Sequence, residues 1–386
     1  MARKPKPKIK AEDLQGFKYF KIIGSLLERL HEDATQRDRA GNRQLYFDHY
    51  ASHFLLYFFN PIVSSLRGIQ QASQLKKVQR VLGCSRASLG SLSEAARVFD
   101  PALLGAIVAE LSERMEPIAG TREQQALANL TAVDGSLLPA LPRMTWALWV
   151  DDRHRAAKMH VAFEVMKGVP CAATLTAGNG SERGQLRVLL EPGRLYVIDR
   201  GYAEYALFQD IVDRRSSFIG RVRDNAVWEE IQQRPLDAKA TEAGVRADRV
   251  VRLGGTQKGP DLKIPVRVVE VVVRKTNGET ERLLLATDRM DLDADLVALG
   301  YRYRWSVELF FRWLKCILGC RHLLSECANG VTIQVYVAII ASLLISLWAG
   351  RKPTKRTYEM VCFHLSGWAS EEELWAHIES LKKHPT

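Results

Sequence analysis

The stretch GRLYVIDRGYAEYALFQDIVDRRSSFIGRV, residues 193–222, decides the fold class of this chain. It contains an apolar run that ends in Asp199, then a segment with helical periodicity over residues 203–215, then a second apolar run. Short apolar runs bounded by turn residues predict buried strands, and the periodic segment predicts a helix between them. A strand, a helix and a further strand in this order predict an α/β layer with a mixed sheet.

The sequence pattern differs on the two sides of this stretch. Residues 13 to about 120 have helical periodicity and no strand-like alternation. From residue 128 onward the sequence predicts strands at LTAVDGSLLPA, TWALWV, MHVAFEVM and VPCAATLTAG, and later two strands that flank an Asn277-Gly278 turn. We therefore expect a helical N-terminal domain over 1–125, an α/β core over 126–221 and 291–350, a β-rich insertion over 222–290, and a C-terminal helical region over 351–386.

One part of the helical region contains a basic helix followed by a turn. Residues 74–101, QLKKVQRVLGCSRASLGSLSEAARVFDP, predict a first helix, a turn at Gly83 and a second helix that stops before Pro101. We place the start of the second helix at a capping box from Ser91 to Glu94. A DNA-binding helix-turn-helix and plain helical packing with a solvated basic face both fit this pattern.

Composition and charge narrow the class of partner. The chain has 386 residues, 47% of them hydrophobic, and a formal net charge of +11. This length is enough for two or three domains, and the charge indicates a polyanionic partner. Nucleic acid ranks ahead of a membrane surface because the sequence contains no lipidation motif. The basic segment MARKPKPKIK has no apolar run behind it, so we expect a solvated tail and not a secretory signal.

A second long apolar segment, VTIQVYVAIIASLLISLWAG at residues 331–350, is long enough to span a bilayer. Polar residues interrupt it, so we interpret it as a buried core helix and expect a cytoplasmic protein. The six cysteines are scattered, which suits free thiols in a reducing compartment. Two groups of possible metal ligands lack a complete motif, and we favour buried side chains over zinc for both: Cys316, Cys320, His322 and Cys327, and the pair His49 and His53.

Two acids follow apolar runs that we predict to be strands: Asp134 in TAVDGS and Asp199 in YVIDRGY. A glycine follows each acid within two positions, which places the carboxylate at or near a strand end where the backbone turns away. Each acid alone also fits an ordinary turn. Together with a third carboxylate they fit a site for two Mg²⁺ ions about 3.5–4 Å apart, because hard cations prefer oxygen ligands.

The third carboxylate is Glu308, in the segment YRYRWSVELFFRWLK of residues 301–315. On one continuous helix, five polar side chains fall within an arc of about 80°: Tyr301, Arg304, Glu308, Arg312 and Lys315. A surface ladder of ion pairs produces the same spacing. Apolar residues nevertheless flank both sides of this stripe: Val307, Phe310, Phe311 and Leu314, and Trp305, Leu309, Trp313 and Cys316. A carboxylate between two apolar walls needs a cation, a metal or a chemical role.

The ordered set Asp134, Asp199 and Glu308 resembles the Asp-Asp-Glu triad of cut-and-paste DNA transposases with a ribonuclease-H-like fold. The spacing of four residues around Glu308 also resembles the Y-R-E-K signature of the bacterial insertion-sequence-4 family: Tyr301, two residues, Arg304, three residues, Glu308, six residues and Lys315. The long separation between Asp199 and Glu308 fits a family in which a β-rich insertion precedes the glutamate. The resemblance covers roughly residues 40 to 350.

The resemblance implies an α/β fold with a ribonuclease-H-like catalytic core, a β-rich insertion and a helical N-terminal domain that binds DNA. It implies that Asp134, Asp199 and Glu308 are the catalytic residues and bind two Mg²⁺ ions, for which Mn²⁺ can substitute.

The resemblance also implies DNA contacts. Tyr301, Arg304 and Lys315 are expected to contact phosphates near the cut, whereas Arg312 lies outside the signature. Related transposases stack an insertion-domain tryptophan near a flipped base, and Trp228 is the candidate in this sequence. A buried core tryptophan is the alternative for Trp228.

The function that the resemblance implies is that of a transposase. Such an enzyme binds the terminal inverted repeats of its insertion sequence, cleaves DNA with metal assistance through a hairpin intermediate, and joins the freed end to target DNA. Its expected partners are DNA and a second copy in a homodimer, in the cytoplasm of a bacterium and associated with the nucleoid. The alternatives are a catalytically silent DNA-binding inhibitor of transposition and a two-metal nuclease without strand transfer. The presence of all three acids favours the enzyme over the inhibitor.

Overall fold

The structure is a computed structural model that describes residues 23–33, 44–117, 120–151, 153–254, 262–274 and 277–383. The chain divides into two compact units: unit 1 consists of Met1–Met115, Leu137–Ala157 and Phe311–Thr386, and unit 2 of Glu116–Ser136 and Lys158–Phe310. The basic segment of residues 1–10, predicted to be a solvated tail, lies outside the described residues.

The regular elements begin with helices, continue with strands and interspersed helices, and end with helices, which is the order that the sequence predicts. The helices are α1 (Ile23–Asp33), α2 (Phe47–Phe59), α3 (Leu66–Ala72), α4 (Lys76–Leu82), α5 (Leu89–Val98), α6 (Ala102–Glu113), α7 (Arg122–Ala126), α8 (Glu182–Leu189), α9 (Tyr205–Asp213), α10 (Ala238–Glu242), α11 (Ala294–Tyr303), α12 (Trp305–Arg312), α13 (Ala328–Ala349), α14 (Lys355–Leu365) and α15 (Glu371–Lys383). The strands are β1 (Leu130–Pro139), β2 (Ala156–Glu164), β3 (Val169–Ala177), β4 (Leu195–Ile198), β5 (Ser217–Arg221), β6 (Trp228–Gln233), β7 (Val245–Leu253), β8 (Val266–Arg274) and β9 (Thr280–Thr287).

Unit 1 is organised around the apolar helix α13. This helix packs against α2, α5, α6 and α15, and 83% of its most apolar 18-residue window is buried. Within the described residues it is the one helix whose length and composition would allow it to cross a membrane. Its burial confirms the prediction of a core helix. The N-terminal helices therefore share a unit with the C-terminal ones, and a separate helical N-terminal domain stays a prediction.

The helix pair α4 and α5 differs from the sequence prediction in its second start. Gly83 ends α4 in the left-handed region at φ 62°, which confirms the predicted turn. However, α5 begins at Leu89, and the Ser88 hydroxyl caps it by accepting a hydrogen bond of 3.0 Å from the Ser91 amide. The predicted capping box from Ser91 to Glu94 is therefore wrong. The connection over residues 83–88 is longer than the turn of about three or four residues in a helix-turn-helix, which favours plain packing.

Unit 2 is built on a mixed sheet with the strand order β3-β2-β1-β4-β5-β9-β8-β7-β6. Strands β1, β4 and β5 run parallel, with β4 linked to β5 through helix α9, whereas β5, β9, β8, β7 and β6 pair antiparallel. This arrangement confirms the predicted mixed α/β sheet. The predicted hairpin around Asn277-Gly278 is also present, with Gly278 at φ 85° between β8 and β9.

One hydrophobic core underlies both the parallel and the antiparallel strands of unit 2. It includes Tyr196 of β4, Phe208 of α9, Phe218 of β5 and Leu284 of β9. The rings of Phe208 and Phe218 stack with centroids 4.4 Å apart. Strands β6 to β9 therefore extend the sheet of β4 and β5, because the shared core continues beneath them.

Two local predictions are wrong. TWALWV at residues 145–150 forms no strand and makes only an isolated bridge between Leu148 and Arg155. The Asp151 carboxylate accepts hydrogen bonds from the amides of Arg153 and His154, so the chain turns back before a ladder can form. Residues 301–315 also do not form one continuous α-helix: α11 ends at Tyr303, α12 begins at Trp305, and Trp313–Ile317 is a π-helical turn.

The apolar flanks of the segment 301–315 are buried unequally. Val307 and Leu314 on one flank are fully buried, whereas Trp305 on the other flank is 55% exposed and Cys316 is exposed. Trp313 on the second flank is buried, so the expectation of two apolar walls is wrong for Trp305 and Cys316 only. The helix break at Arg304 and the π-helical turn shift the side chains away from the ideal 3.6-residue repeat.

Candidate functional site

The two aspartates of the predicted site lie side by side on neighbouring parallel strands. Ala132 of β1 pairs with Val197 of β4. Two residues further along each strand, this register brings Asp134 opposite Asp199 and on the same face of the sheet, because side chains alternate with a period of two. The prediction that Asp134 lies at a strand end is wrong, since β1 continues to Pro139. The strand that ends beside Asp134 is β4, so β1 extends beyond its neighbour at this point.

Backbone amides of the following glycines orient both carboxylates. Asp134 Oδ1 accepts a hydrogen bond of 2.8 Å from the Gly135 amide, and Asp199 Oδ1 accepts one of 2.7 Å from the Gly201 amide. The second bond caps the short 3-10 turn Arg200–Tyr202 that follows β4. A Cβ atom on Gly201 would lie 3.0 Å from Asp199 Oδ1, so a larger residue would crowd the carboxylate.

Arg304 links the third acid to the first. Its Nη2 atom lies 2.9 Å from Glu308 Oε1 and its Nη1 atom lies 3.8 Å from Asp134 Oδ2. The Arg304 side chain is 15% exposed and that of Glu308 is 31% exposed. Although burial opposes the charge of Arg304, the neighbouring Tyr301, Glu308 and Asp134 raise the pKa of its guanidinium. The i,i+4 pair that the surface-ladder alternative requires is thus present, and Arg304 also lies near an acid on the sheet.

The protonation of Asp134 reflects this crowded surrounding. Burial raises the pKa of the Asp134 carboxyl to about 6, against the lowering effects of the Gly135 amide and the Arg304 charge. The carboxylates of Asp199 and Glu182 raise it further. A carboxylate that is costly to ionise in the metal-free protein favours a bound cation, since added positive charge stabilises the ionised form.

The remaining predicted residues lie in different surroundings. Tyr301 is half-buried near Arg304, Arg221 and Asp199, and burial raises the pKa of its hydroxyl. Lys315 belongs to unit 1 and lies half-buried in the π-helical turn Trp313–Ile317. The roles of both residues stay predictions.

Trp228 begins the edge strand β6, is half-buried and packs against the hydrophobic core of unit 2. Its partner in β7 is Leu253. The role of Trp228 in stacking on a base stays a prediction.

The sequence analysis did not predict three further residues near this site: Glu182, Lys158 and Tyr202. Glu182 begins α8, and its Oε1 atom lies 3.2 Å from Lys158 Nζ on β2. Tyr202 is 1% exposed, and its hydroxyl has no hydrogen-bond partner among the described residues. In the sequence, Glu182 follows the helix-capping Ser181 and resembles an ordinary first-turn acid, so it carries no signal of a site. Only the folded chain reveals it, because the Glu182 carboxylate there lies close to Gly135 and Gly201.

Unit 1 contains a separate group of possible metal ligands, formed by His31, Asp48 and His49, whose ligand atoms all lie within 4.8 Å of one another. The Nδ1 atom of His31 lies 2.8 Å from Asp48 Oδ2, so an ordinary buried ion pair or hydrogen bond also accounts for the group. The predicted neighbour pair His49 and His53 instead forms a side-chain to backbone contact, with His53 Nδ1 2.6 Å from the His49 carbonyl.

Comparison with known proteins gives a consistent result. A family described as Transposase DDE domain matches residues 125–344. A protein of Sinorhizobium fredii named as transposase y4zB is 30% identical over 248 residues, which are 63% of this chain and 68% of that protein. A protein of Geobacillus stearothermophilus named as transposase for insertion sequence element IS5377 is 28% identical over 222 residues, which are 57% of this chain and 56% of that protein.

Among solved structures, the piggyBac transposase synaptic complex with hairpin DNA is similar with a TM-score of 0.48 and 11% identity, over 97% of this chain and 87% of that chain. A similarity at this level carries no argument about the fold. The sequence match, by contrast, extends over more than half of the chain and includes Asp134, Asp199 and Glu308. The chain therefore belongs to the Transposase DDE domain family.

Proposed function

We propose that this transposase binds the terminal inverted repeats of its insertion sequence and catalyses metal-dependent DNA cleavage and strand transfer. The observation that carries the proposal is the register of β1 and β4, by which Asp134 and Asp199 stand opposite each other, together with the Arg304 bridge to Glu308. The ribonuclease-H-like character of the core and membership of the insertion-sequence-4 family are part of this proposal, and the Y-R-E-K spacing supports them.

The residues present fit divalent cations. The donor groups are carboxylates, which suit Mg²⁺ and Mn²⁺, and burial raises the pKa of the Asp134 carboxyl, so that a bound cation would offset the cost of ionising it. Asp134, Asp199 and Glu308 would hold two Mg²⁺ ions, for which Mn²⁺ can substitute. When bound, such ions activate the attacking oxygen and stabilise the leaving oxygen at phosphorus.

The protein's own side chains orient the DNA for this chemistry. Arg304 stands between Asp134 and Glu308, where its guanidinium can donate to a phosphate oxygen without leaving the carboxylates. The Tyr301 hydroxyl lies beside Arg304, and Lys315 supplies a further cation for the DNA backbone. Trp228 is the candidate to stack on a base near the cut.

The wider surface supplies affinity for DNA and the context for the reaction. A net charge of +11 favours binding to the phosphate backbone, and the helices of the N-terminal region would read the terminal sequence. A homodimer would bring the two ends of the element together in the cytoplasm, at the nucleoid of a bacterium.

The test separates chemistry from DNA binding. Glu308→Gln removes one carboxylate charge while keeping the size of the side chain and a hydrogen-bond acceptor for Arg304. We expect it to abolish Mg²⁺-dependent cleavage of end DNA and to retain DNA binding in gel shifts, because affinity comes mainly from Lys and Arg. The matched control is Glu229→Gln on β6, where the carboxylate pairs only with Arg252 among the contacts described. Cleavage by Glu308→Gln at the wild-type rate would refute the assignment of Glu308.

A further inference from the structure

Glu182 lies where the two catalytic aspartates meet, although it does not belong to the triad. A Cβ atom on Gly135, the residue after Asp134, would lie 3.1 Å from Glu182 Oε1. A Cβ atom on Gly201, which follows Asp199 by two residues, would lie 4.0 Å from Glu182 Oε2. The Glu182 carboxylate thus lies close to the backbone that follows both aspartates, in β1 after Asp134 and in the 3-10 turn after Asp199, and two glycines leave it room there.

The charge in this region is unbalanced. Among the described residues, four carboxylates belong to the site, and their cationic partners are Lys158 beside Glu182 and Arg304 beside Asp134 and Glu308. The four are Asp134, Asp199, Glu182 and Glu308. Excess negative charge at a partly buried site favours a divalent cation, whose oxygen ligands are preferably carboxylates.

A second observation points independently to a ligand. The Tyr202 hydroxyl is buried, has no hydrogen-bond partner among the described residues, and interacts electrostatically with Glu182, Asp134 and Asp199. Buried hydroxyls in folded proteins are almost always hydrogen-bonded. A buried hydroxyl that has no partner, and on which the charges of three carboxylates act, points to an oxygen acceptor that is present only when the site is filled.

A purely structural role for Glu182 is the competing explanation. An acid in the first turn of α8 interacts favourably with the helix dipole, and its ion pair with Lys158 would complete that role. This explanation accounts for neither the unpartnered Tyr202 hydroxyl nor the approach of the carboxylate to Gly135 and Gly201. It also makes Lys158 a necessary partner of Glu182, which distinguishes it experimentally.

We propose that Glu182 is a fourth carboxylate of the divalent-cation site, with Lys158 as its counter-ion in the metal-free protein and the Tyr202 hydroxyl as a donor in the filled site. The proposal rests on the proposed function in one respect, namely that Asp134 and Asp199 bind the cation. It adds a ligand from α8 that the Asp-Asp-Glu pattern does not contain. Filling the site releases Glu182 from Lys158, since the carboxylate then faces a divalent charge.

The experiment measures cation binding directly and needs no DNA. Full-length wild-type protein and variants are titrated with Mn²⁺ at neutral pH, and free Mn²⁺ is followed by electron paramagnetic resonance. We expect Glu182→Gln to weaken Mn²⁺ binding about tenfold or more, within the range typical for residues that support a metal site. Lys158→Met is expected to tighten binding, because it frees Glu182. The control Glu229→Gln, which breaks the 3.1 Å pair with Arg252, should bind as wild type does.

Each outcome of the titrations supports or contradicts the role of Glu182. Wild-type affinity in Glu182→Gln, with binding weakened in Asp134→Asn, would overturn the role of Glu182 and leave the proposed function intact. Wild-type affinity in Asp134→Asn would instead refute the metal site itself. Weaker binding in Lys158→Met would support the structural ion pair and overturn the inference. If circular dichroism shows that Glu182→Gln is unfolded, Glu182→Asp replaces it, since it keeps the charge but withdraws it by one methylene and should still weaken binding.

Discussion

Replacement of Asp134 by asparagine should stabilise the metal-free protein at neutral pH. The folded protein raises the pKa of this carboxyl from 3.8 to about 6, mainly through burial. When folding raises the pKa of a carboxyl group, the protein is most stable below the unfolded pKa of about 4, where the group is neutral in both states. This stability is lost as the pH rises through the folded pKa of about 6. The difference of roughly two pK units corresponds to about 3 kcal/mol, at about 1.4 kcal/mol per unit.

The Asp134→Asn variant cannot ionise at this position, and its amide oxygen can still accept the hydrogen bond from Gly135. Its free energy of unfolding should therefore equal that of wild type near pH 4 and exceed it by up to about 3 kcal/mol at pH 7. The side chain of Asp134 is 21% exposed, so solvent screening reduces this figure only in part.

The assay is hydrogen exchange of the amides in β1 and β4, followed by mass spectrometry with EDTA present at pH 4, 5, 6 and 7. Exchange of the amides of β4 and of residues 130–136 of β1 reports the opening of unit 2, which matters because the chain contains two compact units. At each pH the protection of the variant is compared with that of wild type. A gain of about 3 kcal/mol corresponds to a roughly hundredfold increase in protection at pH 7.

Asp291→Asn is the control, because it should change the protection of the amides in the opposite direction. Hydrogen bonds from Arg289 lower the pKa of Asp291 to about 2, so this carboxylate stabilises the fold above the unfolded pKa and loses that effect only in acid. Its replacement should reduce protection by a nearly constant amount above about pH 5. A raised pKa of Asp134 is refuted if the Asp134→Asn variant is less protected than wild type at pH 7. It is also refuted if the difference in protection between the two proteins does not change between pH 4 and pH 7.

Two further predictions concern DNA. Arg304→Ala and Lys315→Ala should each reduce the slope of log K against log salt by up to about 0.9 on duplex DNA, whereas an unchanged slope with lower thermal stability would mean that Arg304 only pairs with Glu308. On the α4 and α5 pair, Lys77→Ala should weaken binding to terminal repeats and random duplex alike. Arg97→Ala on α5 tests the helix-turn-helix alternative, which requires a reduced preference for terminal repeats. Competition titrations at one salt concentration measure both effects, and an unchanged preference in Arg97→Ala would place end recognition elsewhere.

These point substitutions replace the more obvious deletion of the N-terminal region. The sequence suggests that a fragment starting near residue 126 is an independent core. In the structure, however, α13 packs against α2, α5 and α6, all of which such a fragment would lose. The exposed apolar face of α13 would then cause misfolding, and a loss of DNA discrimination could not be assigned to a recognition helix.

The candidate site shows which features local sequence patterns can predict. The Asp134 and Asp199 sequences, each an apolar run followed by an acid and a nearby glycine, indicate functional carboxylates. The i,i+4 spacing of Arg304 and Glu308 is compatible with an ion pair, given in the sequence analysis as the alternative, and the structure contains that pair. These features depend on neighbours in the sequence or on the two-residue period of a strand. The helix break at Arg304 and the exposure of Trp305 do not follow from that spacing, since they depend on what the segment packs against.

By itself, the sequence determined the order of helices and strands, the mixed α/β class, the buried helix α13 and the residues of the Asp-Asp-Glu pattern, because periodicity and turn residues act over a few positions. Only the tertiary structure decided which strand stands beside which. That pairing brings Asp134 opposite Asp199, joins Arg304 to an acid far away in the chain, and adds Glu182, Lys158 and Tyr202 to the same cluster. The physical reason is that strand register and helix docking are set by the burial of a shared core, whose members are distant in sequence and carry no mark of their partners.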